Sequence, residues 1–85
     1  MSYARFGCDG SDVYVFTSTA GLECCGCALE DATAVPVFES NVAMIAHLER
    51  HVAAGHVVPD NCLERLRDPK DAAENERIWA GYRTP

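Results

Sequence analysis

Residues 22–51 read LECCGCALEDATAVPVFESNVAMIAHLERH, and this stretch decides how the chain folds. Cys24 and Cys27 form a Cys-x2-Cys pair with Gly26 between them, and His47 and His51 follow, four residues apart. Zinc prefers four tetrahedral ligands from Cys and His, supplied as pairs that lie close in the sequence. The two pairs therefore predict one site, and we expect zinc to be its cofactor.

The histidine pair lies on the clearest helix of the sequence. Ser40 is a suitable N-cap, residues 41–54 contain no Gly or Pro, and Gly55 can end the helix. Residues at helical spacing form one apolar stripe, namely Met44, Ile45, Leu48 and Val52. We expect His47 and His51 to lie at the edge of that stripe, on successive turns.

The residues around these ligands resemble the ββα zinc finger with two Cys and two His ligands. That finger has an apolar residue two before the first Cys, an aromatic residue nine before the first His and an apolar residue three before it. Leu22, Phe38 and Met44 occupy these positions. The chain departs from the family because 19 residues separate Cys27 from His47, against about 12 in the finger. The resemblance implies a zinc site on a β-turn-plus-helix unit.

Two exchanges within the ligand set stay open. Cys25 could replace Cys24, although a Cys-x-Cys pair would strain tetrahedral coordination, and His56 could replace a histidine under the looser spacing rule. A redox Cys-x2-Cys motif is the competing interpretation, but no βαβ pattern follows it. Cys8 and Cys62 stand alone, and we expect them to be small buried hydrophobic residues.

The N-terminal third is predicted to be β structure. Residues 3–6 and 13–17 are short runs of aromatic and β-branched residues, separated by a turn segment at 8–12. The apolar run at 35–38 is expected to be an edge strand, because Pro36 cannot donate to a sheet ladder. These elements and the helices predict a small zinc-stabilised α+β domain with an N-terminal β-hairpin and a ββα finger-like unit.

The C-terminal part is predicted to be a helical arm. Asp60 is expected to cap a second helix, and Pro69 interrupts that helix so that a third begins with Asp68 as its cap. We therefore expect a zinc-finger-like domain at residues 1–58 and a helical arm at 59–85. The arm either packs on the domain or extends from it.

The charge balance narrows the function classes. The 85 residues include 13 acidic and 7 basic side chains, for a net charge of −6, which disfavours a nucleic-acid partner. No apolar run approaches the length of about 20 residues that a membrane helix needs, and a secretory signal pattern is missing. The odd number of cysteines, five, favours a reducing compartment, so we expect a cytoplasmic protein without a membrane partner.

A shell closed by two Cys and two His leaves no open coordination position, so the zinc is predicted to be structural and the chain not an enzyme. The base-reading positions of a DNA-binding finger would be Ser40, Ala43 and Ala46, none of which can make bidentate base contacts. The alternative function is weak nucleic-acid binding through the C-terminal basic residues, Arg65, Arg67, Lys70, Arg77 and Arg83. A third is a zinc hydrolase using Glu49 and His56, although no HExxH motif is present.

Because the sequence disfavours both base-specific DNA binding and catalysis, we expect the chain to bind another protein. Ile78, Trp79 and Tyr82 are the kind of side chains that anchor interfaces. Packing of the same residues onto the domain's own sheet is the competing interpretation. A second copy of the chain is a further candidate partner.

The chain as a whole resembles a family of small proteins encoded by actinobacterial phages. The resemblance rests on segments spread over nearly the full length, namely 2–6, 11–16, 23–27, 47–51 and 54–59. It implies an accessory phage protein that works in the cytoplasm of a bacterial host by engaging a host or phage protein. The family has no assigned activity, and the shared Gly55-His56 leaves a role for His56 open.

Overall fold

The computed structural model describes residues 2–7, 10–25 and 35–83. The fold is α+β, with a four-stranded antiparallel sheet in the N-terminal half followed by three helices. The strands are β1 (Ser2–Ala4), β2 (Val15–Thr17), β3 (Leu22–Cys24) and β4 (Val37–Phe38). The helices are α1 (Asn41–Ala53), α2 (Asp60–Arg67) and α3 (Pro69–Arg83).

The sheet follows chain order, β1-β2-β3-β4, so each strand pairs with its sequence neighbour. Val15 of β2 lies opposite Cys24 of β3, and both side chains are fully buried in the core. The predicted hairpin forms, but its strands are shorter than the apolar runs of the sequence. Ser11 Oγ accepts a hydrogen bond from the Val13 amide at 3.1 Å, so this amide bonds to a local turn and β2 begins only at Val15.

The pairing of β3 with β4 depends on Gly21, which lies between β2 and β3. Gly21 has φ +147°, and a Cβ at this position would collide with the carbonyl oxygen of Phe38 on the opposite strand. Only glycine therefore allows this approach. The strand containing Phe38 lies at the edge of the sheet, and the carbonyl of Pro36 accepts a hydrogen bond from the Cys24 amide at 3.0 Å. The predicted edge strand is confirmed.

Both ends of α1 agree with the sequence analysis. Ser40 is the N-cap, and its Oγ accepts a hydrogen bond from the Ala43 amide at 3.1 Å. Gly55 follows the end of the helix with φ +87°, a conformation that glycine adopts at little cost. The chain therefore turns back over the last turn of α1 instead of continuing away from it.

The buried face of α1 is rotated relative to the predicted stripe. Its buried side chains are Asn41, Met44, His47, Leu48 and His51. Val52 is 51% exposed, so its assignment to the apolar stripe was wrong. His47 and His51 lie beside the stripe, as predicted, and both side chains are buried. On this face, Nε2 of His51 lies 3.7 Å from Cys24 Sγ of β3 and 3.2 Å from Nε2 of His47.

The predicted N-cap of α3 is confirmed, whereas the predicted N-cap of α2 is wrong. Asp68 Oδ1 accepts a hydrogen bond from the Lys70 amide at 2.9 Å, and Pro69 is the first residue of α3, which confirms that cap. Asp60 does not cap α2. It is the first helical residue, and Pro59 occupies the cap position with no side-chain hydrogen bond.

One hydrophobic core joins the sheet to all three helices. Its members are Tyr3, Ala4, Val13, Val15, Leu22, Cys24, Met44, Leu48, Val58, Cys62, Leu66 and Trp79. Since Cys62, Leu66 and Trp79 come from α2 and α3, the C-terminal helices pack on the sheet domain. Among the described residues, no helix is long and apolar enough to cross a membrane.

Candidate metal centre

Cys24 lies in strand β3 and its side chain faces the interior. Residues alternate across a strand, so Leu22 and Cys24 both face the core while Glu23 lies between them with partial exposure. The Cys24 side chain is fully buried. Its backbone is held by the bond to Pro36 on one side, and the adjacent Cys25 amide donates to the carbonyl of Tyr14 at 2.9 Å on the other. The thiol position is therefore fixed by sheet pairing.

Two imidazoles of helix α1 lie near the Cys24 thiol. His47 and His51 are one turn apart, and their Nε2 atoms lie 3.2 Å from each other. The Nε2 of His51 also lies 3.7 Å from Cys24 Sγ. His51 is fully buried and His47 is 3% exposed. Three potential ligand atoms from two elements thus converge in the interior.

The spacing of these atoms fits one tetrahedral ion. Around zinc, with bonds of about 2.0–2.1 Å to nitrogen and about 2.3 Å to sulfur, two nitrogens lie about 3.3 Å apart and sulfur and nitrogen about 3.6 Å apart. The measured 3.2 Å and 3.7 Å are close to both values. All three ligand atoms lie within 4.8 Å of one another. Cys24, His47 and His51 are therefore close enough to hold a metal ion.

The surroundings orient the His47 ring and favour the uncharged form of His51. Phe38 packs against His47, with ring centroids 4.7 Å apart and planes tilted by 35°. Burial, followed by the nearby His47, His56 and Arg50, lowers the pKa of His51 to about 4. A neutral imidazole has a free lone pair, which is the form that binds a metal.

The structure places the other candidate ligands differently. Cys25 follows β3 and is not part of the cluster of ligand atoms, so the cluster thiol is Cys24. His56 approaches His51 from its far side, with the two Nδ1 atoms 2.8 Å apart. His56 is thus a neighbour of a candidate ligand and is not a member of the cluster. Cys27 and Cys8 lie outside the described residues.

The three predicted interface anchors separate on α3. Trp79 is fully buried, and its indole N–H donates to the carbonyl of Ser18 at 3.0 Å. Of the two interpretations given for Trp79, packing on its own domain is the one the structure shows. Ile78 is 38% exposed and Tyr82 is 65% exposed. They border a cavity of about 280 Å³ whose wall also includes residues 17–19.

The pairing of His56 with His51 was not predicted from the sequence. Its only signal was Gly55, because a glycine that ends a helix often returns the chain over the last turn. The His56 amide does this by donating to the carbonyl of His51 at 2.9 Å. Sequence spacing could not show which ring nitrogens would face each other.

Searches of protein-family profiles, curated proteins and solved structures found no significant match to this chain.

Proposed function

We propose that this chain is a small zinc-binding protein in which the metal is structural and which acts by binding another protein. The observation that carries the metal assignment is the buried cluster of Cys24, His47 and His51. One thiolate and two imidazoles form a typical donor set for zinc. Among the described residues no carboxylate belongs to the cluster, which disfavours calcium and magnesium, since these ions take oxygen ligands.

The fourth ligand in this proposal is Cys27. The Cys24-x2-Cys27 spacing is that of a turn that supplies two thiolates to one ion, and Gly26 allows such a turn. With Cys27 bound, the shell is closed. The ion would then link the end of β3 to α1.

A structural role is supported by the burial of the cluster. Two of its side chains are fully buried and the third is 3% exposed. Glu49, the base of the hydrolase alternative, is exposed on α1, whereas both ligands of that helix are on its buried face. Binding energy in such sites, roughly 10–16 kcal/mol, becomes folding energy. We therefore propose that the chain is not an enzyme.

Metal content tests the proposal. We expect one zinc ion per chain in purified protein by elemental analysis, and a lower melting temperature after a chelator removes it. Cys24→Ser should abolish tight binding. Cys62→Ser is the matched control, because Cys62 is another fully buried free thiol outside the cluster. A metal-free chain that melts like the zinc-loaded one, or Cys24→Ser protein that retains zinc, would refute the structural zinc site.

The protein-binding part of the proposal rests on α3. Ile78 and Tyr82 are one turn apart, exposed, and adjacent to the cavity at residues 17–19. Large apolar side chains next to a cavity are typical anchors of interfaces. The basic residues support a nucleic-acid partner less well, since Arg77 pairs with Glu74 and Arg65 stacks on Tyr3.

An affinity capture from an actinobacterial lysate tests this part, because the phage resemblance predicts a partner there. A protein captured by the wild type should be lost with Ile78→Ser/Tyr82→Ser, and retained with Val42→Ser. Val42 is 77% exposed on another helix and is the matched control. Retention by the double variant would contradict the proposed surface. Loss of capture by the wild type after nuclease treatment would favour the nucleic-acid alternative.

A further inference from the structure

His56 is held against the candidate metal centre by its backbone on both sides. Its amide donates to the carbonyl of His51, the last histidine of α1. The next residue, Val57, donates to Asp12 Oδ2 at 2.6 Å, and its carbonyl accepts from the Asp12 amide at 2.8 Å. The segment after α1 is therefore hydrogen-bonded both to that helix and to Asp12. The imidazole of His56 is presented to His51 from a fixed position.

The two nitrogens of His51 face different partners. Its Nε2 faces Cys24 Sγ and His47 Nε2, the other atoms of the cluster. Its Nδ1 lies 2.8 Å from Nδ1 of His56, a hydrogen-bond distance. If Nε2 binds the metal, it cannot carry a proton, so the single ring proton of a neutral His51 must be on Nδ1. His56 Nδ1 lies within hydrogen-bond distance of that proton's nitrogen.

We propose that His56 is a positioning residue of the metal centre, which accepts a hydrogen bond at its Nδ1 from the Nδ1–H of His51. This inference rests on the proposed zinc site. Ligating histidines are commonly fixed by a partner on their second nitrogen, which selects the tautomer and the ring orientation. In most proteins the partner is a carboxylate or a carbonyl. Here it is a neutral imidazole, whose own proton is then on Nε2.

The same geometry argues against His56 as a ligand of this ion. Its nearest contact with the cluster is through the Nδ1 atoms, on the side of the His51 ring opposite to Nε2. The group of atoms close enough to hold one ion contains Cys24, His47 and His51. His56 is partly exposed, so the chain of two imidazoles leads from the buried cluster to the surface.

Zinc affinity of two variants tests the role. His56→Leu replaces the imidazole with an apolar side chain of similar size and removes the acceptor, and we expect its zinc dissociation constant to rise roughly 10–100-fold. His56→Asn places Oδ1 near the position of Nδ1, so it should bind zinc within a few-fold of the wild type. The dissociation constants can be measured by competition with a chromophoric chelator. A structural role for the ring alone predicts the same loss in both variants.

A spectroscopic readout reports on the tautomer itself. In the zinc-loaded wild type with 15N-labelled histidine, we expect the His51 ring to show a protonated Nδ1 and a metal-bound Nε2. The Nδ1 proton should exchange slowly with water, and it should exchange fast in His56→Leu. This measurement on the wild type decides the question even if His56→Leu does not fold.

The outcomes separate this inference from the proposed function. A wild-type chain without zinc affinity overturns both. Zinc binding by the wild type with unchanged affinity in His56→Leu overturns the positioning role alone. So does a wild-type spectrum in which Nε2 of His51 carries the proton, or an affinity of His56→Asn as low as that of His56→Leu.

Discussion

Two thiols in this protein, Cys24 and Cys62, are equally buried and have different surroundings. Cys24 faces two imidazoles, whereas Cys62 belongs to the apolar core on α2. Burial raises the pKa of Cys62 to about 11, against a weaker opposite effect of Arg65. Since the thiolate is the reactive form, Cys62 is expected to be chemically inert at neutral pH.

Alkylation resolved by residue checks this difference. With iodoacetamide at pH 8, we expect Cys62 of the native protein to stay unmodified whether or not zinc is present. Cys24 should be protected by zinc and become reactive after chelation. Urea-unfolded protein, in which every thiol reacts, is the control. Rapid native-state labelling of Cys62, or labelling of Cys24 that does not depend on zinc, would contradict the assignment of the two thiols.

Because His51 is buried, we expect the stability of the metal-free chain to depend on pH. The pKa of His51 in the folded state is about 4, lowered mainly by burial and then by His47, His56 and Arg50. In the unfolded chain it is about 6.5. Between these values the unfolded chain binds a proton that the folded chain does not, so the free energy of unfolding falls as the pH drops from about 6.5 to about 4.

Urea denaturation of the chelated protein at several pH values measures this effect. His51→Gln, which does not titrate, should show a smaller fall in stability over the same range. Equal pH profiles for the wild type and the variant would mean that another group causes the loss.

At the level of elements, α1 depends on its N-cap. The Oγ of Ser40 accepts from the Ala43 amide and satisfies one of the free N–H groups at the helix start. We expect Ser40→Ala to lower the free energy of unfolding by about 1 kcal/mol. Ser40→Asp preserves a capping acceptor and serves as the control. Denaturation followed by circular dichroism gives both values, and equal losses in the two variants would show that the cap is not the cause.

The same helix shows what sequence patterns can and cannot provide. Its start at Ser40 and its end at Gly55 depend on local chemistry, and both were predicted. Which face is buried depends on the partner, and here the apolar stripe suggested the wrong edge. Val52 is apolar but exposed, while the polar His51 is fully buried because Cys24 lies across from it. The predicted length of β2 was also wrong. The hydrogen bond between the Ser11 hydroxyl and the Val13 amide cannot be predicted from the spacing of apolar residues.

Over the whole molecule, a buried polar network joins the first strand to the last helix. Tyr3 Oη donates to Asp71 Oδ2 at 2.6 Å, and Asn75 Nδ2 donates to Tyr3 Oη at 2.9 Å. Asn41 of α1 connects to both helical residues at 2.9 Å. Burial and the bond to Asp71 raise the pKa of Tyr3, so its hydroxyl keeps the proton that it donates.

The sequence offered no signal for this network, although it offered a strong one for the candidate metal ligands. Cys24 and the histidine pair belong to motifs with known spacings, which lead from sequence to site without knowledge of the fold. Tyr3 and Asn75 are 72 positions apart and belong to no motif. A single Asn on a polar helix is normally exposed, and only the packed fold shows that this one is buried.

A double-mutant cycle on this network is the sharpest test of the whole fold. Tyr3→Phe removes only the hydroxyl, and the ring over which Arg65 stacks at 4.6 Å remains. Asn75→Ala removes the amide that donates to that hydroxyl. Because each change removes hydrogen bonds from the buried network, each should lower the free energy of unfolding by about 0.5–1.5 kcal/mol. The sum of the two single losses should exceed the loss in the double variant by about 0.5–3 kcal/mol, since they share one bond.

Arg77→Ala, which removes an exposed ion pair with Glu74 from the same helix, is the control and should change stability by less than about 0.5 kcal/mol. Urea titrations under one set of conditions give the five unfolding free energies, namely those of the wild type, the three cycle variants and Arg77→Ala. Strictly additive losses would mean that Tyr3 and Asn75 do not interact. Because these two residues lie near opposite ends of the chain, additivity would also contradict the docking of α3 on β1, on which the position of Ile78 and Tyr82 depends.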